Sequence, residues 1–361
     1  MIITLYVLLV FILVLLSFSG LRLGKIDAKP ALTSLSVFIG VVFTLYLYYA
    51  SIMAIDSTNY QASFGYIGSI KFTYDILYFA FAKIIKDFGG DYQLLRLCVG
   101  VVSMIPVLIL IKTERENMNV PLFFLCSLLF PYFQNMVALK NTIAGALAVV
   151  AFLIYFKWRK GIIKIVFVYA LLFAASLFHD TAIIYIVLFT LMLIMKRIAD
   201  IRRSYWLLFG VGVVMIIIIR TGIATKILNK MVGETNLSYT ARLGSVGYGF
   251  LIITTIQLVF FYITHRTIRD AEVINGRSEM NSDIMLLFYS SIILIPLYSI
   301  NILFFRIFRN IMVFGYLVCA CNFNISRQTR TRAWGLLIVL IVLMLYDANG
   351  IGTLQSIFLD S

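Results

Sequence analysis

Long apolar runs alternate with short polar joints along the whole chain, and the length of the runs identifies them. A bilayer's hydrocarbon core is about 30 Å thick and takes roughly 20 residues of helix to cross. Runs of that size predict spans near 2–19, 31–53, 91–111, 119–135, 138–156, 162–178, 181–195, 205–220, 247–264, 283–300, 302–322 and 333–347. The stretch from Ile165 to Met195 is too long for one span and right for two. Its only ionisable interruption is Ser176-Leu177-Phe178-His179-Asp180-Thr181, so a hairpin is expected to turn over at His179. Lipid offers backbone groups no partners, which leaves helices or closed barrels, and the short alternating strands of a barrel do not occur here.

Two joints are longer than the rest. The first runs from Ala54 to Gly90 and opens with Asp56-Ser57-Thr58-Asn59-Tyr60. It continues through an apolar stretch, Tyr74 to Lys86, flanked by charge and closed by Gly89-Gly90. This predicts a helix over about 73–88 lying in the membrane interface. Were it to span, every later joint would change sides. The second, about 221–247, carries Lys226, Lys230, Glu234, Tyr239 and Arg242 among scattered glycines and has the composition of a mobile lid. Pro106, Pro131 and Pro296 fall within or at the ends of spans, where they can kink them. With no repeat, low-complexity segment or soluble linker, residues 1–361 read as one integral membrane domain of about twelve helices.

Composition agrees: 62% of residues are hydrophobic, too many for a soluble globular domain, and mean hydropathy is +1.01. The net charge of +14 lies mostly in short joints. Arg22/Lys25/Lys29, Lys112/Arg115, Lys157/Arg159/Lys160/Lys164, Lys196/Arg197/Arg202/Arg203, Arg266/Arg269/Arg277 and Arg327/Arg330/Arg332 all fall in alternate joints. The positive-inside rule makes that set cytoplasmic, puts both termini outside and turns His179 to the outer face. Anionic lipids, not nucleic acid, are the partners this charge implies. Met1 to Ser19 lacks a basic n-region and cleavage site and reads as a retained first helix. Cys98, Cys126, Cys319 and Cys321 fall inside apolar runs with no paired spacing.

Cations on the outer side break the rule and are therefore informative. Arg306 and Arg309 stand three apart among Phe and Ile, and share a helix face in the outer half of a span. Snorkelling to lipid phosphates would explain them, and so would a clamp on a diphosphate, which the planar guanidinium fork grips bidentately. Lys140 and Asn141 open a span, and Arg242 lies in the second long joint with Tyr239. Arg96 is explicable by pairing with nearby Asp91. Asp56, directly after a span, and His179 are the candidate proton acceptors, although a helix-end carboxylate and a turn-capping imidazole need no chemistry. No H-E-x-x-H, paired-cysteine, phosphate-loop or G-x-S-x-G motif occurs, so metal, ATP-hydrolysing and serine-hydrolase chemistries have no support and no cofactor is expected.

In order and placement, Asp56-Ser57-Thr58-Asn59-Tyr60, Tyr74 to Gly90, Leu139-Lys140-Asn141-Thr142-Ile143-Ala144, Ser176 to Ala182, Tyr239 to Arg242 and Phe305-Arg306-Ile307-Phe308-Arg309 resemble the EpsG family. These bacterial multi-pass proteins are relatives of Wzy-type exopolysaccharide and O-antigen polymerases. Members often carry Arg-Gln where this chain has Lys140-Asn141, and an Arg-then-Gly motif of some O-antigen polymerases is absent. The resemblance implies a bundle like that of GT-C glycosyltransferases in the bacterial plasma membrane. It implies a metal-independent polymerase that moves a growing glycan from undecaprenyl diphosphate onto a lipid-linked repeat unit. Asp56 or His179 would take the proton, while Lys140, Asn141, Arg242, Arg306, Arg309, Tyr60 and Tyr239 would hold diphosphate and glycan. A flippase and a chain-length regulator would be its pathway partners. The alternatives are a lipid-linked oligosaccharide flippase without bond chemistry and a membrane O-acyltransferase. The latter would need its histidine on the cytoplasmic side.

Overall fold

The computed structural model describes residues 2–19, 29–50, 55–67, 74–114, 116–158, 161–197, 210, 249–276, 278–298 and 304–351. Within them all regular structure is helical: α1 Ile2–Ser19, α2 Lys29–Ala50, α3 Ile55–Gly65, α4 Ile76–Asp87, α5 Tyr92–Glu114, α6 Val120–Leu129, α7 Tyr132–Val137 and α8 Leu139–Lys157. There follow α9 Ile162–Phe178, α10 Ile183–Arg197, α11 Gly249–Asn275, α12 Glu279–Ser290, α13 Leu294–Tyr298, α14 Phe305–Cys321 and α15 Arg327–Ile351. Five segments are long and apolar enough to cross a membrane: Tyr92–Glu114, Leu139–Lys157, Leu251–Asn275, Glu279–Tyr298 and Arg327–Tyr346. The expected span at 205–220 and the long joint at 221–247 lie outside the described residues. Every other expected span coincides with a helix, but five such segments do not amount to the twelve spans expected.

Two expected spans are broken. The 119–135 run stops as a helix at Leu129, because Pro131 has no amide hydrogen and forces Phe130 into extended backbone (φ −161°, ψ 136°). The ten residues of α6 reach only about 15 Å. Carbonyls on both sides of the break take donors from other helices, as an apolar interior requires. Tyr6 of α1 donates to the Leu128 carbonyl (3.1 Å), Tyr316 of α14 to that of Phe130 (2.8 Å), and Thr142 of α8 to that of Asn135 (2.6 Å). At the start of α6, Asn119 caps Leu122 N (3.1 Å), donates to Ser17 O (3.0 Å) and, through its backbone, to Ala320 O (3.0 Å). One asparagine thus ties three helices together. The second break interrupts the 283–300 run with a 3-10 turn at Ser291–Ile293. Here Gln257 of α11 donates to Ser291 O (3.2 Å) and accepts from the Tyr298 hydroxyl (2.5 Å).

Several helices also run past their apolar stretches. The 27 residues of α11 make about 40 Å, longer than hydrocarbon thickness, and its polar last turns meet the start of α15, where Arg332 pairs with Asp270. Similar pairs join the ends of α5 and α8 (Glu114 with Lys157) and the end of α10 to the start of α12. In the latter, Lys196 lies 2.7 Å from Asp283 and 3.4 Å from Glu279. All of these belong to joints that the sequence placed on one face; Arg22, Lys25, Arg202 and Arg203 of the same set lie outside the described residues.

A long α3, unforeseen, precedes the expected interfacial helix, which is α4. Tyr78, Phe79, Ala82 and Ile85 form the buried stripe of α4, while Ile76, Ile84 and Phe88 are exposed and apolar. A helix apolar on its outward side as well suits a membrane surface. Lys86 caps α3 by donating to Phe64 O (3.1 Å) and Gly65 O (2.6 Å), so the two helices dock as a unit.

Tyr316→Phe, which leaves the Phe130 carbonyl without its phenol, is expected to cost about 1–3 kcal/mol. In a thermal-unfolding assay in nanodiscs it should lower Tm by several degrees, whereas Tyr49→Phe, at an exposed position, should not.

Candidate functional site

A group of charged and polar side chains gathers where the starts of α4 and α8 meet the turn between α9 and α10. Its centre is Asp75, the residue before α4. Asp75 adopts left-handed backbone (φ 50°, ψ 38°), which aspartate tolerates better than most residues. At a helix start its carboxylate would ordinarily cap its own helix, but it makes no such bond. It turns instead to the bundle. Oδ2 lies 2.8 Å from Lys140 Nζ, and Oδ1 lies 3.5 Å from His179 Nδ1 and 3.3 Å from the Asp180 amide. Only 6% of Asp75 is exposed. A charge so far from water needs partners, and it has a cation, an imidazole and a backbone N–H.

Lys140 stands at the start of α8 inside a ring cage. Its ammonium is 4.3 Å from the centre of Phe79, 5.3 Å from Tyr78, 5.6 Å from Tyr74 and 5.7 Å from Tyr60. Aromatic faces attract a cation that has given up water. Tyr60 therefore joins the site through Lys140, bringing α3 with it.

Tyr78 carries the site inward. It is within electrostatic reach of Asp75 and of Arg96, on the second turn of α5. Arg96 is 1% exposed, with Tyr92, Tyr78 and Tyr48 about it and its guanidinium 5.9 Å from the Tyr92 ring. Asp91, the partner expected for it, accepts from Leu94 N (2.8 Å) and serves as a helix cap. The Tyr48 hydroxyl meets those of Ser103 and Thr142 and lies within reach of both Arg96 and Arg309. Arg309, on α14, is 2% exposed and has Tyr48, Tyr185 and Tyr316 as neighbours. Its neighbour Asn310 donates to the Tyr185 hydroxyl (2.7 Å).

Close helix approach makes this layer possible. A Cβ at Gly145 would come within 2.4 Å of the Asn310 amide, and one at Gly100 within 2.9 Å of the Tyr48 ring. Asn141, 3% exposed, turns a buried Nδ2 that has no acceptor among the described residues.

Asp75, Lys140, His179 and Tyr60 therefore form one cluster, and Tyr78 lies within electrostatic reach of Arg96, which shares the neighbourhood of Tyr48 with Arg309. Arg306 is only half-buried while Arg309 is enclosed, since three residues along a helix leave a 60° offset. The backbone of Asp56 belongs to α3, but its side chain lies outside the described residues, as do Tyr239 and Arg242. Asp75 was missed as a functional residue because it reads as a flank of the interfacial helix. The available signal was an aspartate at a helix start within an aromatic stretch whose other acid, Asp87, stands at its far end.

Asp75 and Asp180 are driven in opposite directions. Burial pushes the Asp75 carboxyl up, but the His179 bond and the Lys140 charge outweigh it and hold it below the usual range. Burial, then the Asp75 charge, push Asp180 up. Two carboxylates with separated affinities for protons allow one to stay ionised while the other exchanges.

For a depressed carboxyl, the stabilisation is present above its unfolded pKa and is lost as pH falls through the folded one; for a raised carboxyl, ionisation costs stability and the cost vanishes in acid. Asp75→Asn should thus lower Tm at neutral pH with a deficit that shrinks below the carboxylate range. Asp180→Asn should raise Tm at neutral pH and lose that advantage on acidification. Nanodisc melts across pH read both signs.

No curated protein and no solved structure matches the chain. The EpsG family model matches residues 5–355, nearly its whole length, and the chain accordingly belongs to the EpsG family.

Proposed function

We propose that the protein is an exopolysaccharide polymerase of the bacterial plasma membrane. It has about twelve spans in a GT-C-like arrangement with both termini outside, and it works at the outer face without a metal. The observation that carries this reading is the division of charge between the two ends of the bundle in a chain of this family. Basic joints and their ion pairs occupy one end, and Asp75, Lys140, His179, Arg96 and Arg309 occupy the other.

The substrates are undecaprenyl-diphosphate-linked oligosaccharides. A hydroxyl oxygen of the incoming repeat bonds to the anomeric carbon of the growing glycan, and its proton passes to His179 or Asp56. The anomeric carbon–oxygen bond breaks, and its electron pair leaves with undecaprenyl diphosphate. The anion that departs is stabilised by Arg309 and Arg306, with Arg242 from the second long joint and Arg96 from within. Lys140 contributes from beside Asp75, and Asn141, Tyr60 and Tyr239 offer hydrogen bonds and ring faces to sugar. A flippase and a chain-length regulator of the same pathway are the expected partners.

The alternative is a flippase, and the two broken helices are the kind of feature transporters use. In this chain the carbonyls freed at the breaks take neutral partners, Tyr6, Tyr316, Thr142 and Gln257, and not the charged side chains, although Arg309 lies beside Tyr316. That arrangement favours bond chemistry at one face over passage through the middle.

Arg309→Ala and Arg306→Ala are expected to abolish polymer and leave single lipid-linked repeats accumulating at the outer face, as read by surface labelling and gel profiles of lipid-linked glycans. Accumulation inside supports the flippase. His179→Ala and Asp56→Asn are each expected to be tested for turnover, and loss of the proton acceptor should cost about 10²–10⁴-fold; full polymer from both would remove the assigned base.

A further inference from the structure

We propose that Asp75 is the positioning residue for His179, receiving the ring's Nδ1–H and thereby leaving Nε2 as the nitrogen that accepts a proton. The inference rests on the reading of His179 as proton acceptor, and four observations on the page lead to it.

The first is the orientation of the carboxylate. Asp75 stands at a helix start in left-handed backbone and yet leaves its own helix uncapped. Such a conformation persists where surrounding contacts over-determine it. The second concerns the imidazole. His179 Nδ1 is buried without a hydrogen-bond partner among the described residues, and Asp75 Oδ1 lies 3.5 Å from it. That distance is long for a hydrogen bond, as contacts of a catalytic pair often are before substrate tightens them. The third is register: the same Oδ1 accepts the Asp180 amide at 3.3 Å, so one oxygen aligns with the turn that carries the ring. The fourth is Lys140, held at 2.8 Å on the other oxygen, which keeps the carboxylate ionised and fixes its plane.

The tautomer follows from the chemistry of the ring. A neutral imidazole has one N–H, and a carboxylate beside one nitrogen puts the hydrogen there. When a substrate hydroxyl delivers its proton to Nε2 the ring becomes a cation, and Asp75 meets that charge at the opposite nitrogen. Among the described residues, the charged groups about His179 are Asp75 from the start of α4, Asp180 from its own turn and Lys140 of α8, which is bound to Asp75.

Only two histidines occur in the chain, His179 and His265, so ring NMR of histidine-labelled, full-length protein in nanodiscs resolves both. His265→Gln assigns the signals. Neutral His179 is expected in the Nδ1–H tautomer. Asp75→Leu, which removes the acceptor, should shift the ring towards the Nε2–H tautomer. Asp75→Glu, which keeps the acceptor, should hold Nδ1–H and covers the case in which Asp75→Leu does not fold. An Nε2–H tautomer in the wild type, or a tautomer unchanged by Asp75→Leu, overturns the proposal.

The same nanodiscs supplied with lipid-linked repeats separate this claim from the function it rests on. Asp75→Leu is expected to lower kcat about 10-fold or more with KM little changed, and Asp75→Glu to restore part of it. The expected tautomers without polymer from the wild type sink the polymerase reading and leave the positioning intact. Polymer from the wild type with a tautomer unchanged by Asp75→Leu sinks the positioning alone.

Discussion

A carboxylate withdrawn from water must be compensated where it sits, and this requirement organises the end of the bundle that carries Asp75. Removal of either partner from a buried pair leaves an uncompensated charge, which costs about 3–5 kcal/mol. Asp75 answers the requirement with groups 65 and about 105 residues away, Lys140 on α8 and the His179–Asp180 turn. The tie is therefore also a topological fastening. It fixes the first long joint, α3 and α4 included, to the start of α8 and the turn between α9 and α10. Without it, α4 would be held by its apolar stripe alone, and nothing would bring Tyr60, Tyr74 and Tyr78 around one ammonium.

Polar groups in the rest of the molecule obey the same accounting with different means. Where the backbone breaks, at Phe130 and at Ser291, the exposed carbonyls take neutral donors from distant helices. At the basic end, long side chains pair with acids at helix termini, near water. The guanidiniums of Arg96 and Arg309 are a third case, because they are enclosed among tyrosines whose hydroxyls and rings accept charge without cancelling it. A helix break filled with neutral bonds contributes stability.

Much of this was legible in the sequence, for a physical reason. Span positions follow from bilayer thickness and the basic clusters, and eleven of the twelve expected runs meet a helix. His179 and Lys140 stood out because each interrupts or opens an apolar run. The breaks were not legible, since a proline's effect depends on whether Tyr316 and Tyr6 can reach the carbonyls it strands. Asp75 was not legible as a site residue either: its role comes from burial and from a backbone angle, and neither is local. Arg96 was discounted for the nearness of Asp91 in sequence, whereas the structure commits Asp91 to the Leu94 amide. Sequence proximity indicated a pair where helix geometry made a cap.

The Lys140 position shows how such details bear on chemistry. Family members often carry an arginine there, whose fork grips phosphate with two bonds. Here the space is a cage of four rings closed by one carboxylate oxygen at 2.8 Å. A compact ammonium suits that shape, because it can be reached by ring faces from several sides and still donate to one acceptor. A planar guanidinium would stack on one ring and leave the others unused. Lysine at this position therefore spends its charge on Asp75, and so on the order of the His179 turn. An arriving diphosphate would have to draw it away from a partner already in place. Under the proposed function, Lys140 orders the His179 turn before the anion arrives, and Arg309, Arg306, Arg242 and Arg96 carry most of its recognition.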